Sequence, residues 1–373
     1  MKFKGLLSIG VTEVLGTGIS SIFWFVMATL IEPENFGEIF YFIGIASIAS
    51  YIALIGGQET LVVYVAKKIK IQSTLNLLSL VVTGISFIVI IIIFNRIDTS
   101  LALVAFVINT LAIGDLLGRR NYSGYSKYFL TQKILLISLG FSFYFLFGVE
   151  GIIFALALSY ITYSIRVING FKKNKIDFTL LKPRIGFIAN NYILGLTGNS
   201  KNHIDKLIIA PILGFALLGN YALATQIVGV LFISSSIIFK YILSEDAVGN
   251  RNEKLKKLSI LFSIGIAIIG FFLSPIIIPE LFPKYIEVID AIQIMVFTTI
   301  PFSIGTIYKS KILGSEKSKL LVISMMGSLI TMIIGMIMLG TIFGIIGLAF
   351  AFVLAISVET TILILLSIKM EQK

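Results

Sequence analysis

Long apolar runs alternate along the chain with short clusters of charged and turn-forming residues. Each run reaches the length of about 20 residues that a helix needs to cross a bilayer core. The pattern predicts twelve spanning helices near 6–31, 38–64, 74–94, 100–118, 132–148, 151–170, 186–210, 216–243, 258–278, 288–312, 320–343 and 346–368. The second, sixth and seventh are the least clean. The first run follows Lys2 and Lys4, passes Glu13 and continues to Ile31 with no small-residue cleavage site. It is expected to be a retained helix, not a signal peptide.

Composition narrows the function classes. The 373 residues are 57% hydrophobic and only 13% charged, with a mean hydropathy of +1.01. That leaves too few polar groups to cover a soluble fold, so a water-soluble enzyme, a nucleic-acid binder and a disordered chain are excluded. There is no cysteine, hence no disulfide, thiolate metal site or cysteine nucleophile. A single histidine, His203, rules out a multi-histidine metal centre. No GxxxxGK[ST] phosphate loop is present, and the predicted loops are too short to fold alone. No catalytic residue, metal or cofactor is therefore expected, and the chain is read as a non-enzyme.

Charge placement orients the predicted helices. With the N-terminus in the cytoplasm, all but a few of the 30 basic residues fall on the inner side. They include Lys67, Lys68 and Lys70; Arg119, Arg120, Lys127 and Lys133; Arg166, Lys172, Lys182 and Arg184; and Lys309, Lys311, Lys317 and Lys319. Only Arg96 and Lys284 fall in outer loops, a strong positive-inside asymmetry. The net charge of +11 then faces the cytoplasm and anionic headgroups, and no nucleic-acid partner is needed to explain it. The expectation is a multi-pass protein of the cytoplasmic membrane with both termini inside.

The chain also looks doubled. Phe147, Gly148, Gly151, Phe154 and Ala155 recur as Phe343, Gly344, Gly347, Phe350 and Ala351, at an offset of 196. The segment around Gly37 matches that around Gly219, at an offset of 182, and GYSKYFL from Gly124 matches GSEKSKLL from Gly314, at 190. Six helices per half place both halves in the same orientation, as in parallel-repeat transporters. The expected architecture is an all-α polytopic membrane protein: two six-helix bundles, 1–184 with an inner linker and 185–373, around a central cavity.

Two stretches carry a family resemblance. Residues 23–68, FWFVMATLIEPENFGEIFYFIGIASIASYIALIGGQETLVVYVAKK, resemble the first hairpin of polysaccharide flippases. In both, an apolar helix is followed by a short acidic turn with a Phe-Gly pair, then a helix ending in basic residues. Residues 203–227, HIDKLIIAPILGFALLGNYALATQI, are similar to the matching hairpin of the second half. Those families belong to the multidrug/oligosaccharidyl-lipid/polysaccharide exporter superfamily. The resemblance implies a flippase moving a polyprenyl-(pyro)phosphate-linked oligosaccharide from the inner to the outer leaflet by alternating access. Its expected partners are that substrate, membrane lipids and, as a further candidate, a coupling proton or sodium ion. The alternatives are an ion-coupled multidrug or small-molecule exporter of the same superfamily and a membrane-embedded glycan transferase or ligase.

Polar groups at membrane depth are the candidate site, since a charge there costs at least ~2.5 kcal/mol on insertion scales. In the seventh run Asn191, Gly195, Gly198, Asn202 and Asp205 recur at helical spacing, with Asn199, His203 and Lys206 on the adjoining stripe and Lys201 nearby. A cationic wall with amides suits a phosphate. The repeat sets Glu13, Thr17, Ser20 and Trp24 on the matching stripe of the first helix. Lys201 and Asp205, four residues apart, are expected to neutralise each other. Arg119, Arg120 and Arg166 are read as the inner mouth that first receives the headgroup, with an Asp115–Arg119 salt bridge between them. Pro301, with Gly305 beside it, is expected to kink the tenth helix and act as a hinge.

Overall fold

The computed structural model describes residues 2–173, 175–246, 253–315, 317 and 319–371. Fourteen α-helices account for most of them: α1 Lys2–Leu30, α2 Pro33–Ala53, α3 Gly57–Ala66, α4 Gln72–Phe94, α5 Ile97–Gly118, α6 Tyr122–Phe147 and α7 Gly151–Ser159. They continue with α8 Ile161–Lys173, α9 Ile185–Leu213, α10 Phe215–Asp246, α11 Glu253–Leu281, α12 Val288–Met295, α13 Thr299–Gly314 and α14 Lys319–Glu371. The predicted runs all become helix, several of them broken or extended in instructive ways.

Among the described residues nine helical stretches are long and apolar enough to cross a membrane. Two of them, Tyr122–Lys172 and Lys319–Met370, hold 51 and 52 residues. That is more than twice what one crossing needs. Each folds back at a glycine. Gly148 has φ 70° and ψ −155°, and Gly344 has φ 58° and ψ −133°, regions that cost a side-chain-bearing residue dearly. Three residues later, Gly151 and Gly347 sit so close to the preceding helix that a Cβ on either would overlap a carbonyl eight residues back, that of Phe143 or Leu339. The Phe-Gly-x-x-Gly repeat is thus one structural device used twice: a left-handed glycine to turn, then a bare glycine to pack.

The expected 38–64 helix is two helices. Gly56 and Gly57, at φ 85° and 71°, interrupt it between α2 and α3. The 151–170 run likewise breaks at Tyr160 between α7 and α8. The 132–148 run begins much earlier than expected, at Tyr122, where Asn121 caps α6 by accepting a hydrogen bond from the Gly124 N–H at 2.9 Å. This last extension moves Lys133 from the inner end of a helix into its middle. The Gly124–Gly314 match fails for a related reason: Gly124 lies in the first turn of α6, whereas Gly314 is the last residue of α13.

Pro301 falls within the apolar helical stretch Val288–Leu313, which breaks once. The break falls just before it, in a 3-10 turn at Val296–Thr298, and Pro301 occupies the first turn of α13, where its missing N–H leaves no bond unmade. Its carbonyl accepts a hydrogen bond from Thr360 of α14 at 2.7 Å, and Gly305 gives that threonine room. The prolines inside helices are Pro211, Pro275 and Pro279.

The chain divides into two compact units, one holding 1–23 and 42–203, the other 24–41 and 204–373. In the first unit a core of Leu54, Leu61, Ile71, Leu75, Leu111, Leu116 and Tyr163 packs α3, α4, α5 and α8 together. Ser73 and Thr74 tie α4 to Gly170 and to the linker at Asp177. In the second unit Phe36, Tyr285, Val288, Ala291, Ile292, Met295 and Val296 are buried. Here α2 and α10 meet at Gly37 and Gly219. A Cβ on Gly37 would overlap the Phe215 carbonyl, and one on Gly219 would overlap the Pro33 carbonyl. Phe215 and Pro33 each precede the facing glycine by four residues, so the contact is reciprocal, and it joins the two residues that the repeat equates.

Candidate functional site

The seventh run forms the helix α9, and its polar content explains why α9 is absent from the nine apolar stretches. Its first part belongs to the first unit. Asn191 turns its amide back onto the Phe187 carbonyl at 3.1 Å. Asn199 is buried and donates to the Ser47 carbonyl of α2 at 3.3 Å. Tyr192 donates to the Ile52 carbonyl at 2.9 Å, just before the α2–α3 break. Asn202 is exposed, and Lys201 and His203 are half-buried. Ile193 is 54% exposed, as a lipid-facing residue would be.

The second part of the stripe belongs to the second unit. Asp205 and Lys206 are both buried and grip each other tightly. The Lys206 ammonium donates to both carboxylate oxygens, at 2.9 and 3.0 Å, and its backbone N–H donates to Oδ1 at 2.9 Å. The acid is thus gripped by the residue next to it in the chain. Successive residues on a helix point about 100° apart, but a flexible lysine stem bends back when the alternative is an uncompensated charge. Trp24, also in this unit, is buried between Phe36 and Phe40, with ring centroids at 6.1 and 4.9 Å.

In the first unit two of the three arginines read as an inner mouth are already engaged. Asp115, almost fully buried, pairs with Arg119 at 2.5 Å and with Arg166 at 3.0 Å. Arg119 also donates to Gln72 at 3.2 Å. Two guanidiniums share one carboxylate, so the cluster keeps one excess positive charge. Arg120 is exposed, in the turn between α5 and α6 at φ 58°.

Glu13 faces α6. The Tyr125 hydroxyl donates to it at 3.5 Å, and one residue away Thr12 donates to Ser126 at 2.7 Å. One turn further, Gly16 lies against the Phe129 ring so closely that a Cβ would overlap it. Tyr125 and Phe129 stack at 5.6 Å, and the ammonium of Lys133 lies 5.2 Å from the Phe129 centroid. Sequence reading missed Lys133 because it put the residue at the inner end of the predicted 132–148 helix. The signal was present in the 125, 129, 133 spacing, which lines up on one helix stripe.

No family model and no curated protein matches the sequence. The fold does have solved counterparts. The lipid II flippase MurJ in an inward closed conformation superposes with a TM-score of 0.75 at 14% identity, over 97% of this chain and 87% of that one. An inward-facing multidrug resistance MATE family transporter of the MOP superfamily gives 0.69 at 14% identity, over 97% and 96%. A MOP superfamily transporter from Pyrococcus furiosus Vc1 gives 0.63 at 14% identity, over 98% and 94%; reverse polarity of its binding pocket suggests a different function for that protein. At such identities the likeness speaks to fold: this chain has the all-helical fold of MOP superfamily transporters and flippases.

Proposed function

We propose that the chain is a membrane flippase of the multidrug/oligosaccharidyl-lipid/polysaccharide exporter superfamily. In this reading it carries a polyprenyl-(pyro)phosphate-linked oligosaccharide across the cytoplasmic membrane by alternating access, for surface glycan assembly. Twelve crossings, cytoplasmic termini and two repeat-related halves belong to the same proposal. The observation that supports it is the sign of the charge at membrane depth. Lys133 and Lys201, with His203 able to join them, stand against Glu13, while Lys206 and Asp205 neutralise each other. A phosphate cannot enter a low-dielectric interior uncompensated, and such a set of cations is what it requires.

The exporter reading keeps one observation of its own. Glu13, with the Tyr125 hydroxyl and the Phe129 ring beside it, is an acidic and aromatic corner suited to an organic cation. Complementation separates the two. Expressed in a strain lacking its own oligosaccharide flippase, the chain should restore surface glycan. Drug tolerance conferred without glycan rescue would favour the exporter instead. The orientation has its own check: a cysteine placed at Asn35 or Glu280 should label from outside the cell and one at Lys172 should not.

A further inference from the structure

Lys133 is the outlier among the ionisable groups. It stands eleven residues into α6, about 16 Å along a helix of about 39 Å. With the helix centred on a hydrocarbon core of about 30 Å, Lys133 stands further from the boundary than a four-carbon stem spans. The described residues give its ammonium no carboxylate and no hydrogen-bond acceptor; its contact is the face of Phe129 at 5.2 Å. A ring face compensates a desolvated ammonium by about 2 kcal/mol, which is less than an ion pair with hydrogen bonds supplies. Lysines at this depth mark substrate or ion paths by default.

Its neighbourhood is polar on the α1 side. The two helices run in parallel register: Thr12 meets Ser126, Gly16 meets Phe129, and Phe23 meets Gly140. Ser20 stands one turn beyond Gly16, and Lys133 one turn beyond Phe129, so both lie at the level between the two glycine contacts. The Ser20 hydroxyl is buried and has no hydrogen-bond partner. A cation without a counter-ion and a hydroxyl without an acceptor stand at one depth, and a phosphoryl oxygen answers both needs.

We propose that Lys133, supported by Ser20, binds the phosphoryl group of a polyprenyl phosphate-linked substrate during its passage through the first unit. The inference rests on the flippase reading and adds to it a ligand that the α9 stripe does not contain. Purified protein is titrated with a polyprenyl monophosphate, with the corresponding polyprenol, and with phosphatidate as a bilayer lipid bearing the same phosphate monoester. The chain should prefer the phosphate over the alcohol. Lys133→Gln should lose that preference by about tenfold or more, the scale of one charge-assisted hydrogen bond. Lys133→Arg should keep most of it, Ser20→Ala should lose part of it, and phosphatidate binding should be unchanged in all three. If Lys133→Gln keeps the full preference, Lys133 is not a ligand, although the flippase reading stands. Equal loss of phosphatidate binding would make the lysine a contact for surrounding lipid and overturn the assignment. A wild-type chain that binds phosphate and alcohol alike would bring down the flippase reading and this inference together. The arginine and serine variants keep the test decisive should the glutamine variant fail to fold.

Discussion

Lys206 and Lys133 are the same residue type, each set into a membrane-protein helix, and their surroundings are opposite. Lys206 of α9 is locked to its neighbour Asp205 through both carboxylate oxygens. Lys133 of α6 rests on one aromatic face. The first is a closed pair whose charge is spent within the protein; the second keeps its charge available. A lysine's presence at membrane depth therefore does not identify a binding group, and the identity of its partner does.

The sharpest way to break this contrast is to open the closed pair. Asp205→Asn leaves the Lys206 ammonium buried against a neutral amide. Removing one partner of a buried pair costs about 3–5 kcal/mol, and the variant should melt far below the wild type in detergent. Asp205→Leu combined with Lys206→Met should recover most of that loss, because a buried pair is often replaceable by apolar groups of similar size. If the single variant melts like the wild type, Asp205 and Lys206 are not the closed unit described.

A smaller effect tests the other side. Phe129→Leu removes the ring beneath Lys133, worth about 0.5–2 kcal/mol, and should lower thermal stability by a few degrees while Lys133→Met leaves it unchanged or raises it. A marked loss of stability in Lys133→Met would mean that the ammonium has a structural partner. The smallest effect concerns α9 alone. Single cysteines at Asn191 and Asn202 should react with small polar thiol reagents, while one at Asn199 should be slow, since that side chain is buried against Ser47. Equal rates at all three positions would remove the distinction between the open and packed parts of the stripe.

Much of the helical framework could be read from hydropathy alone. Runs such as 74–94 and 346–368 are apolar enough to declare themselves, and their helices agree within a few residues. The reading lost accuracy where polar residues enter a helix for tertiary reasons. The first turns of α6, with Ser123, Lys127, Gln132 and Lys133, look like a loop and a helix end until Thr12, Glu13 and Gly16 of α1 are set beside them. The Asp205–Lys206 pair escaped it because i,i+4 spacing describes an exposed helix surface, whereas burial selects whichever cation can reach. For Pro301, a hydropathy run does not show that α13 begins two residues before it.

The Gly37–Gly219 contact has a consequence for descent. A half-length ancestor that associated as a parallel homodimer would make this contact with a single residue meeting its own symmetry mate, the signature of an isologous interface. In a chain descended from it by duplication and fusion that one position would become two, each pressed against the backbone that precedes the other, as Gly37 and Gly219 are. Thereafter a side chain acquired at either copy collides with the unchanged copy, and neither gene half can drift at this point while its twin stays bare.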